Sequence, residues 1–260
     1  MEETKFSKNV DVFDSVTPEV KLRTKKMMMW IIIFAVVMLF GGVTSALIVL
    51  KGKLMWMHVL VPTSFWLSIV SVLLSSATMF WAVKSLKAGQ VKNAMIGVCL
   101  TLVFGVLFTI TQMTGWAGLK AKGMGYTITQ NAQGLKAYKW NPLGKFTGEY
   151  GVDYWIEYRN APLVMWNGQL FAESDVNHTQ PKTTEVMSTF NASGALISVL
   201  VYVHLIHLFF GLIYLGVNLN RLRIGTLSQE NYMSLYANGM YWHFMGILWI
   251  YLFAFLFFIY

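Results

Sequence analysis

The sequence predicts an all-α integral membrane protein, a five-helix transmembrane bundle with an extramembrane loop of β-hairpin character, about 70 residues long, between its third and fourth helices. Three observations lead to this fold class. Hydrophobic residues make up 56% of the chain and charged residues only 12%, whereas soluble domains average about a quarter charged. Five uncharged runs each exceed the ~20 residues that a helix needs to cross ~30 Å of hydrocarbon. Such runs are also too long for barrel strands, which span a membrane in about ten residues.

The uncharged runs assign the five predicted helices in order. The runs comprise residues 27–50, 55–83, 93–119, 191–220 and 231–260, and each contains one predicted helix. The first helix follows the basic stretch KLRTKK and ends at KGK. Pro62 falls in the opening turn of the second helix, where its missing N–H costs little, and Gly89 is a suitable stop at its end. The helices divide the chain into an N-terminal tail (1–26), helices 1 to 3 (27–119), an outer loop (120–190) and helices 4 and 5 (191–260).

The third, fourth and fifth helices have recognisable ends. The third runs into GWAGLKAKG, the fourth ends at NRLRIG, and the fifth follows SQEN, a reasonable N-cap region. The tail before the first helix is polar and mixed in charge, which indicates a membrane anchor rather than a cleavable secretion signal. The single cysteine, Cys99, excludes a disulfide within the chain, and a c-type haem would need a C-x-x-C-H motif.

The distribution of basic residues predicts the orientation. Of the basic residues behind the net charge of +8, six lie in the tail, three in the turn after helix 2 and two after helix 4, whereas the turn after helix 1 has only Lys51 and Lys53. The positive-inside rule then predicts a cytoplasmic N-terminus, with the C-terminus and loop 120–190 outside. Because this excess marks orientation and forms no basic face on a soluble module, we expect no nucleic-acid partner.

Loop 120–190 is aromatic and β-leaning in its middle, and the WNG at 166–168 predicts a tight turn between two short strands. His178 and the acidic residues of the loop have no metal-ligand spacing. A solvated surface explains them, and so does a docking surface for a soluble partner or a neighbouring subunit, which the density of Trp and Tyr favours. The acidic residues in question are Glu149, Asp153, Glu157, Glu173, Asp175 and Glu185.

Three histidines lie inside the predicted helices, His204 and His207 on the fourth and His243 on the fifth. The spacing of three places His204 and His207 on one face, with Gly211 a turn beyond. Histidines on facing helices are able to ligate a b-type haem, but their neighbours here are Leu, Ile, Phe and Tyr rather than small residues. We expect the imidazoles to form structural hydrogen bonds, because an unsatisfied polar group in hydrocarbon is costly. Haem or metal ligation remains the alternative, and it would make the chain a haem b membrane anchor or a quinol-handling subunit.

Small and hydroxyl residues recur within the helices, as in GGVTSA, VLLSSATMFWA and LFTITQMTGW. This pattern lets helices approach closely and form hydrogen bonds to one another. A small transporter could line a path with the same groups. However, the runs contain no Asp, Glu, Lys or Arg, and the chain has no internal repeat, both of which coupled carriers commonly use. The pattern therefore favours helix packing.

Taken together, these stretches resemble subunit III of the haem–copper terminal oxidases. The last helix of that family carries Y-W-H-F-V-D-x-x-W, and the helix before it carries H-G-x-H-x-x-x-G followed by an arginine. The matching residues here are Tyr241, Trp242, His243, Phe244 and Trp249, and then His204, His207, Gly211 and Arg221. Two further stretches resemble the family at Leu73, Leu74, Ser75, Ser76, Thr78, Trp81 and Ala82, and at Gly105, Phe108, Thr109 and Gln112. The resemblance covers roughly three quarters of the chain.

The carboxylates of the family are missing from this chain. Gly246, Gly115 and Tyr236 stand at three of their positions, and Val36 or a neighbour stands at the fourth. The roles in proton uptake proposed for those carboxylates therefore cannot be assigned to residues of this chain. Five helices are present, as in the shorter bacterial forms, so the resemblance places the chain in a bacterial plasma membrane.

The resemblance implies an accessory subunit with no catalytic residue, haem or copper of its own. It would pack against oxidase subunit I, which holds the haem and copper and reduces oxygen, and against subunit II or another respiratory complex through loop 120–190. Arg221 would bind a phospholipid, since a guanidinium matches a phosphate bidentately. The implied structural anchors are His204, His207, His243 and Trp242, and the implied helix-packing residues are Ser75, Ser76, Thr109, Gln112 and Gly211. Whether cytochrome c or quinol supplies the electrons is left open.

Overall fold

The computed structural model describes residues 17–122, 128–131, 134–137, 149–189 and 192–258. The helices within these ranges are α1 (Pro18–Lys51), α2 (Ser64–Lys87), α3 (Val91–Lys122), α4 (Thr183–Met187), α5 (Ala192–Arg223) and α6 (Met233–Phe258). The strands are β1 (Met55–Val59), β2 (Ile128–Asn131), β3 (Gly134–Ala137), β4 (Tyr154–Tyr158), β5 (Ala161–Trp166) and β6 (Gln169–Ala172).

Among the described residues, five helices are long and apolar enough to cross a membrane: α1, α2, α3, α5 and α6. Their most apolar stretches have a mean hydropathy between 1.4 and 2.6. Large apolar side chains such as Phe34, Phe80 and Phe209 are exposed on their outer faces. Exposed apolar surface of this extent suits contact with lipid or with other membrane chains rather than with water. The prediction of a mainly helical fold with five such helices is confirmed.

Four of these helices form a ring. The helix α2 packs against α3, α3 against α5, α5 against α6, and α6 returns to α2, while α1 lies outside against α5 and α6. The helix α6 contacts α1, α2 and α5, and its apolar stretch is the most buried of the five. The core between the helices is built from large apolar side chains, among them Phe40, Val72, Met79, Phe108, Leu215 and Trp249.

The helix ends follow from local chemistry. Pro18 occupies the start of α1, where its fixed φ is already helical and its missing N–H is not needed. Gly89 and Gly225 follow α2 and α5 with φ of 77° and 76°, in the left-handed region that glycine tolerates best. The helix α1 begins at Pro18 and so includes the basic residues that precede the first uncharged run. Residues 1–16 of the predicted tail lie outside the described ranges.

The two ends of the bundle differ in character. Lys84 and Lys87 close α2 at one end, which also carries Arg221 at the end of α5. Lys25 of α1 lies at this end too, since it shares a groove with Tyr214. We call it the basic end. The strands that join α1 to α2 and α3 to α5 lie at the opposite end, which we call the sheet end.

The sheet end carries more β-structure than the predicted hairpin. Four antiparallel strands pair in the order β1-β4-β5-β6, and β2 and β3 form a separate pair. The predicted WNG turn is confirmed: Asn167 and Gly168 join β5 to β6 with φ of 46° and 74°. Arg159 and Asn160 join β4 to β5 with φ of 52° and 62°. Both turns have the positive φ values typical of two-residue hairpins.

Strand β1 connects the sheet to the helices and takes up residues 55–59 at the start of the second uncharged run, so that α2 begins at Ser64, two residues after Pro62. These residues pair with β4, so that Met57 lies opposite Ile156. Trp56 is buried in the core of the helical bundle, whereas Met55 and Met57 belong to a second apolar cluster under the sheet. The alternation of a strand sends successive side chains to opposite faces, which allows β1 to fill both cores at once.

Candidate functional site

A chain of hydrogen bonds joins α6, α2 and α3 within the bundle. The indole Nε1 of Trp242 donates to Ser75 Oγ at 2.9 Å, and Ser75 Oγ donates to the carbonyl of Thr101 at 3.2 Å. The hydroxyl of Thr101 in turn donates to the carbonyl of Gly97, 2.8 Å away. Trp242, Ser75 and Thr101 are all buried. The serine both accepts and donates, so neither its hydroxyl nor the indole N–H is left unpaired among apolar neighbours.

A second pair repeats this contact seven residues away. Trp249 Nε1 donates to Ser68 Oγ at 3.2 Å. Ser68 and Ser75 are two turns apart on α2, and Trp242 and Trp249 are two turns apart on antiparallel α6. A spacing of seven returns a helix to nearly the same face, so both indoles reach α2 along one seam. We call this set the serine–tryptophan seam.

The seam also includes His243. A hydrogen bond joins its Nδ1 to Ser76 Oγ at 2.5 Å, again from α6 to α2. The imidazole is half-buried and lines a groove between these two helices. His243 thus forms an interhelical hydrogen bond.

His204 lies in a different setting, deep in the core and 1% exposed. Its ring contacts Trp249, Phe108 and Phe40, with ring centroids 5.3, 6.1 and 6.4 Å away. Its Nδ1 has no hydrogen-bond partner among the described residues, so this atom does not form the bond predicted for the imidazole. The cavity beside it measures about 10 Å³, at the lower limit for a single water molecule.

His207 bonds within its own helix. Its Nδ1 donates to the carbonyl of Val203 at 2.7 Å, and its own carbonyl accepts from the Tyr241 hydroxyl at 2.9 Å. The imidazole lines a groove of about 570 Å³ between α1, α5 and α6. His207 and His243 therefore face different grooves, and a haem held between α5 and α6 would have to displace the rings around His204.

Two glycines make room for the aromatic rings of Tyr241 and Trp242. A Cβ on Gly105 would lie 2.9 Å from Trp242 Cη2, and a Cβ on Gly211 would lie 3.1 Å from Tyr241 Cε1. Contacts this short cannot be accommodated without a shift of the neighbours. The helix-packing role predicted for Gly211 has this physical basis, and Gly105 plays the same part on α3.

The two α3 residues predicted to pack helices behave differently. The hydroxyl of Thr109 donates to Gly105 of its own helix at 2.9 Å rather than to a neighbour. Gln112 is fully buried, and neither amide atom has a partner among the described residues. Asn238 on α6, which no sequence motif indicated, is also buried, and neither of its amide atoms has a partner among the described residues.

Arg221 is held at the basic end by α6. Its Nη1 donates to Ser234 Oγ at 3.1 Å, and Ser234 Oγ donates to Asn218 Oδ1 at 2.7 Å. Tyr214 donates to the carbonyl of Ser234 at 3.1 Å. Arg221 is exposed and forms no ion pair with a described carboxylate. The contacts of Ser234 with Arg221, Asn218 and Tyr214 were not predicted from the sequence. Tyr214, Asn218 and Arg221 nevertheless follow the spacing of one helix face.

One face of the sheet is aromatic and partly exposed. Alternation and register place Trp155, Val164 and Trp166 on the same face as Trp56 and His58. The imidazole of His58 stacks on Trp155 with centroids 5.0 Å apart and bonds Glu157 Oε2 at 2.7 Å. We call Trp155, Val164 and Trp166, which are 40%, 40% and 54% exposed, the sheet surface.

His178, Asp175 and Glu185 of loop 120–190 each contact neighbouring residues of the loop. His178 stacks on Trp166 with centroids 5.0 Å apart. Backbone N–H groups of Gln180 and Thr179 donate to Asp175 and hold the pKa of its carboxyl below the usual value. A hydrogen bond from Tyr158 likewise lowers the pKa of Glu185. The described residues contain no cluster of three or more His, Cys, Asp or Glu able to hold a metal ion.

Comparison with known proteins gives no match to a protein-family model and no match to a curated protein sequence. Function is therefore inferred from the geometry of the seam, the sheet surface and the basic end.

Proposed function

We propose that this chain is an accessory subunit of a respiratory haem–copper oxidase, equivalent to its subunit III, and that it stabilises the catalytic subunit I. One observation carries the proposal. Several of the residues on which the resemblance to that family rests contact one another in one seam between α2 and α6, although Ser75 and Trp242 are 167 positions apart. A chance resemblance of short motifs would have no reason to join those motifs in space.

The chemistry of the seam favours a packing role over a catalytic one. Its polar groups are hydroxyls, indoles and imidazoles that bond to one another or stack on rings. No Asp, Glu, Lys or Arg occurs in the uncharged runs that contain it. Proton relays and ion carriers in membranes normally use such ionisable groups. In this proposal, haem and copper belong to the partner chain.

Partner contacts are proposed at two places. The exposed apolar faces of the helices would lie against subunit I or lipid, as expected for a chain with so much apolar surface. The sheet surface would contact subunit II or another respiratory complex, because exposed Trp residues are enriched at protein interfaces. In this arrangement the basic end is cytoplasmic and the sheet end faces outward, in the plasma membrane of a bacterium.

Arg221 is proposed to bind a phospholipid headgroup. One of its N–H groups is used by Ser234, which fixes the guanidinium at the end of α5. The remaining donors are directed to no described carboxylate, so a phosphate could accept two of them. The groove lined by Tyr214, beside the same helix end, would receive an acyl chain.

Copurification tests the proposal. The chain, tagged and extracted from its native membranes in a mild detergent, should bring with it a larger polypeptide with haem absorption and oxygen-uptake activity. Deleting residues 149–189 should remove a different partner while leaving that polypeptide bound. Copurification with no haem-bearing chain would refute the oxidase assignment. If the chain were a transporter or a haem b anchor, it would be purified without such a polypeptide.

A further inference from the structure

We infer that the groove between α2 and α6 at the basic end binds an anionic phospholipid, at a site separate from Arg221. This inference does not depend on the oxidase assignment. The groove measures about 340 Å³. It is lined by Phe80, Val83, Lys84 and Lys87 of α2 and by Tyr236, Gly239, Met240 and His243 of α6.

The charge of the groove selects the headgroup. Lys84 and Lys87 are three residues apart on α2, so both ammonium groups lie on the face that opens into the groove. The lining contains no carboxylate, and neither lysine forms an ion pair with a described residue. An anionic phosphate group supplies the missing counter-charge, and basic residues next to a membrane surface attract anionic lipids.

Aromatic contacts fix the position of one lysine. Lys87 Nζ lies 4.6 Å from the ring centroid of Tyr236 and 5.0 Å from that of Tyr232. Cation–π contacts of this kind hold the ammonium at the groove mouth without neutralising its charge. The lysine is thus positioned before a ligand arrives, which lowers the entropy cost of binding.

The walls of the groove suit an acyl chain. Phe80, Val83 and Met240 are apolar, and Lys87 lies seven positions after Phe80, which is about 10 Å along the helix. Gly239 forms the floor, where a Cβ would lie 3.3 Å from Val83 Cγ2. His243 lies about one turn further from the mouth than Gly239 and is already bonded to Ser76. A lipid would place its phosphate at the lysines and one chain along these walls.

Native mass spectrometry of the full chain in detergent tests the site with two probes, dioleoyl-phosphatidylglycerol and dioleoyl-phosphatidylcholine. We expect the anionic lipid to bind more tightly. The double variant K84Q/K87Q should lose about fivefold in affinity for it per lysine, since each basic group near a surface contributes ~1 kcal/mol. The matched variant K92Q/R223Q removes two charges at the same end but outside the groove, and it should bind like the parent.

A second pair of variants tests the acyl-chain wall. Phe80 and Leu73 are both exposed on α2, but Phe80 alone of the two lines the groove. F80A should lower the affinity for both lipids several-fold, whereas L73A should leave both affinities unchanged. Equal affinity for the two lipids would overturn the inference, as would unchanged binding in K84Q/K87Q or an equal loss in K92Q/R223Q. A short-chain quinone that bound more tightly than either lipid would assign the groove to another ligand and also overturn it.

Discussion

Trp242 and Ser75 form the contact that fixes α6 against α2, because the indole N–H of one donates to the hydroxyl of the other at 2.9 Å in a buried setting. Ser75 passes the bond on to the backbone of α3 at Thr101. Three helices thus meet at one hydroxyl. Inside a membrane, where association gains nothing from excluding water, such bonds and close packing determine which helices pair.

The variant S75A should destabilise the chain by about 1–2 kcal/mol, because it leaves the indole N–H of Trp242 buried without an acceptor. The control S71A removes a buried hydroxyl that, among the described residues, bonds to the carbonyl of Leu67 in its own helix, and it should lower the stability less. Steric-trapping or SDS unfolding of both variants measures the difference. Equal stability of S75A and S71A would show that the interhelical bond contributes nothing.

The variant G105A should destabilise by about 1–3 kcal/mol, because its Cβ would lie 2.9 Å from Trp242 and force the ring to move. A Cβ on Gly216 of α5, by contrast, would meet no described atom within 4 Å. G216A should therefore be neutral or slightly stabilising. The same unfolding assay compares the two variants. An unchanged stability of G105A would mean that Trp242 is not held against α3.

Asp175 should make the sheet end sensitive to acid. Its pKa is lowered in the folded chain, chiefly by the N–H of Gln180, so its contribution to stability is complete above the ordinary aspartate pKa. That contribution is lost as the pH falls through the lowered value. Hydrogen exchange at Thr179 and Gln180, corrected for intrinsic rates, should show protection falling below about pH 4. D175N should remove this pH step; the same step in D175N would rule out the carboxylate as its source.

The variant R221A should leave the initial activity of the purified complex near normal but reduce bound phospholipid and shorten its lifetime during turnover. The guanidinium is proposed to hold a phosphate at the helix end, away from any reacting group. R223A, two residues further along α5, removes an exposed arginine that lies outside the Arg221–Ser234 contact and serves as control. Phosphorus analysis and turnover number check both effects. Unchanged lipid content and lifetime in R221A would argue against a lipid role.

The five long helices could be predicted because hydrocarbon imposes a simple rule, a long run without charge. Their ends were less certain, since the basic residues before Met27 continue the helix from Pro18. Strand β1 could not be predicted from local sequence. Met57 pairs with Ile156, almost a hundred positions away, and an apolar strand next to a helix looks like part of that helix.

The polar residues of the seam could be selected from sequence, but their partners could not. His204 and His243 occur in similar apolar surroundings along the chain, yet one contacts three aromatic rings and the other bonds a serine. That difference depends on how each helix is rotated about its axis. The groove with Lys84 and Lys87 was missed for the same reason, because it exists only where two helices meet.

The central claim is that this chain stabilises a redox partner and holds no metal centre itself. Metal analysis and visible spectra of the purified complex, before and after this polypeptide is separated from the larger one, test it most directly. We predict that iron, copper and the haem absorption all remain with the larger chain. Stoichiometric iron or copper retained by the separated polypeptide, lost on His204→Ala or His243→Ala, would contradict the account.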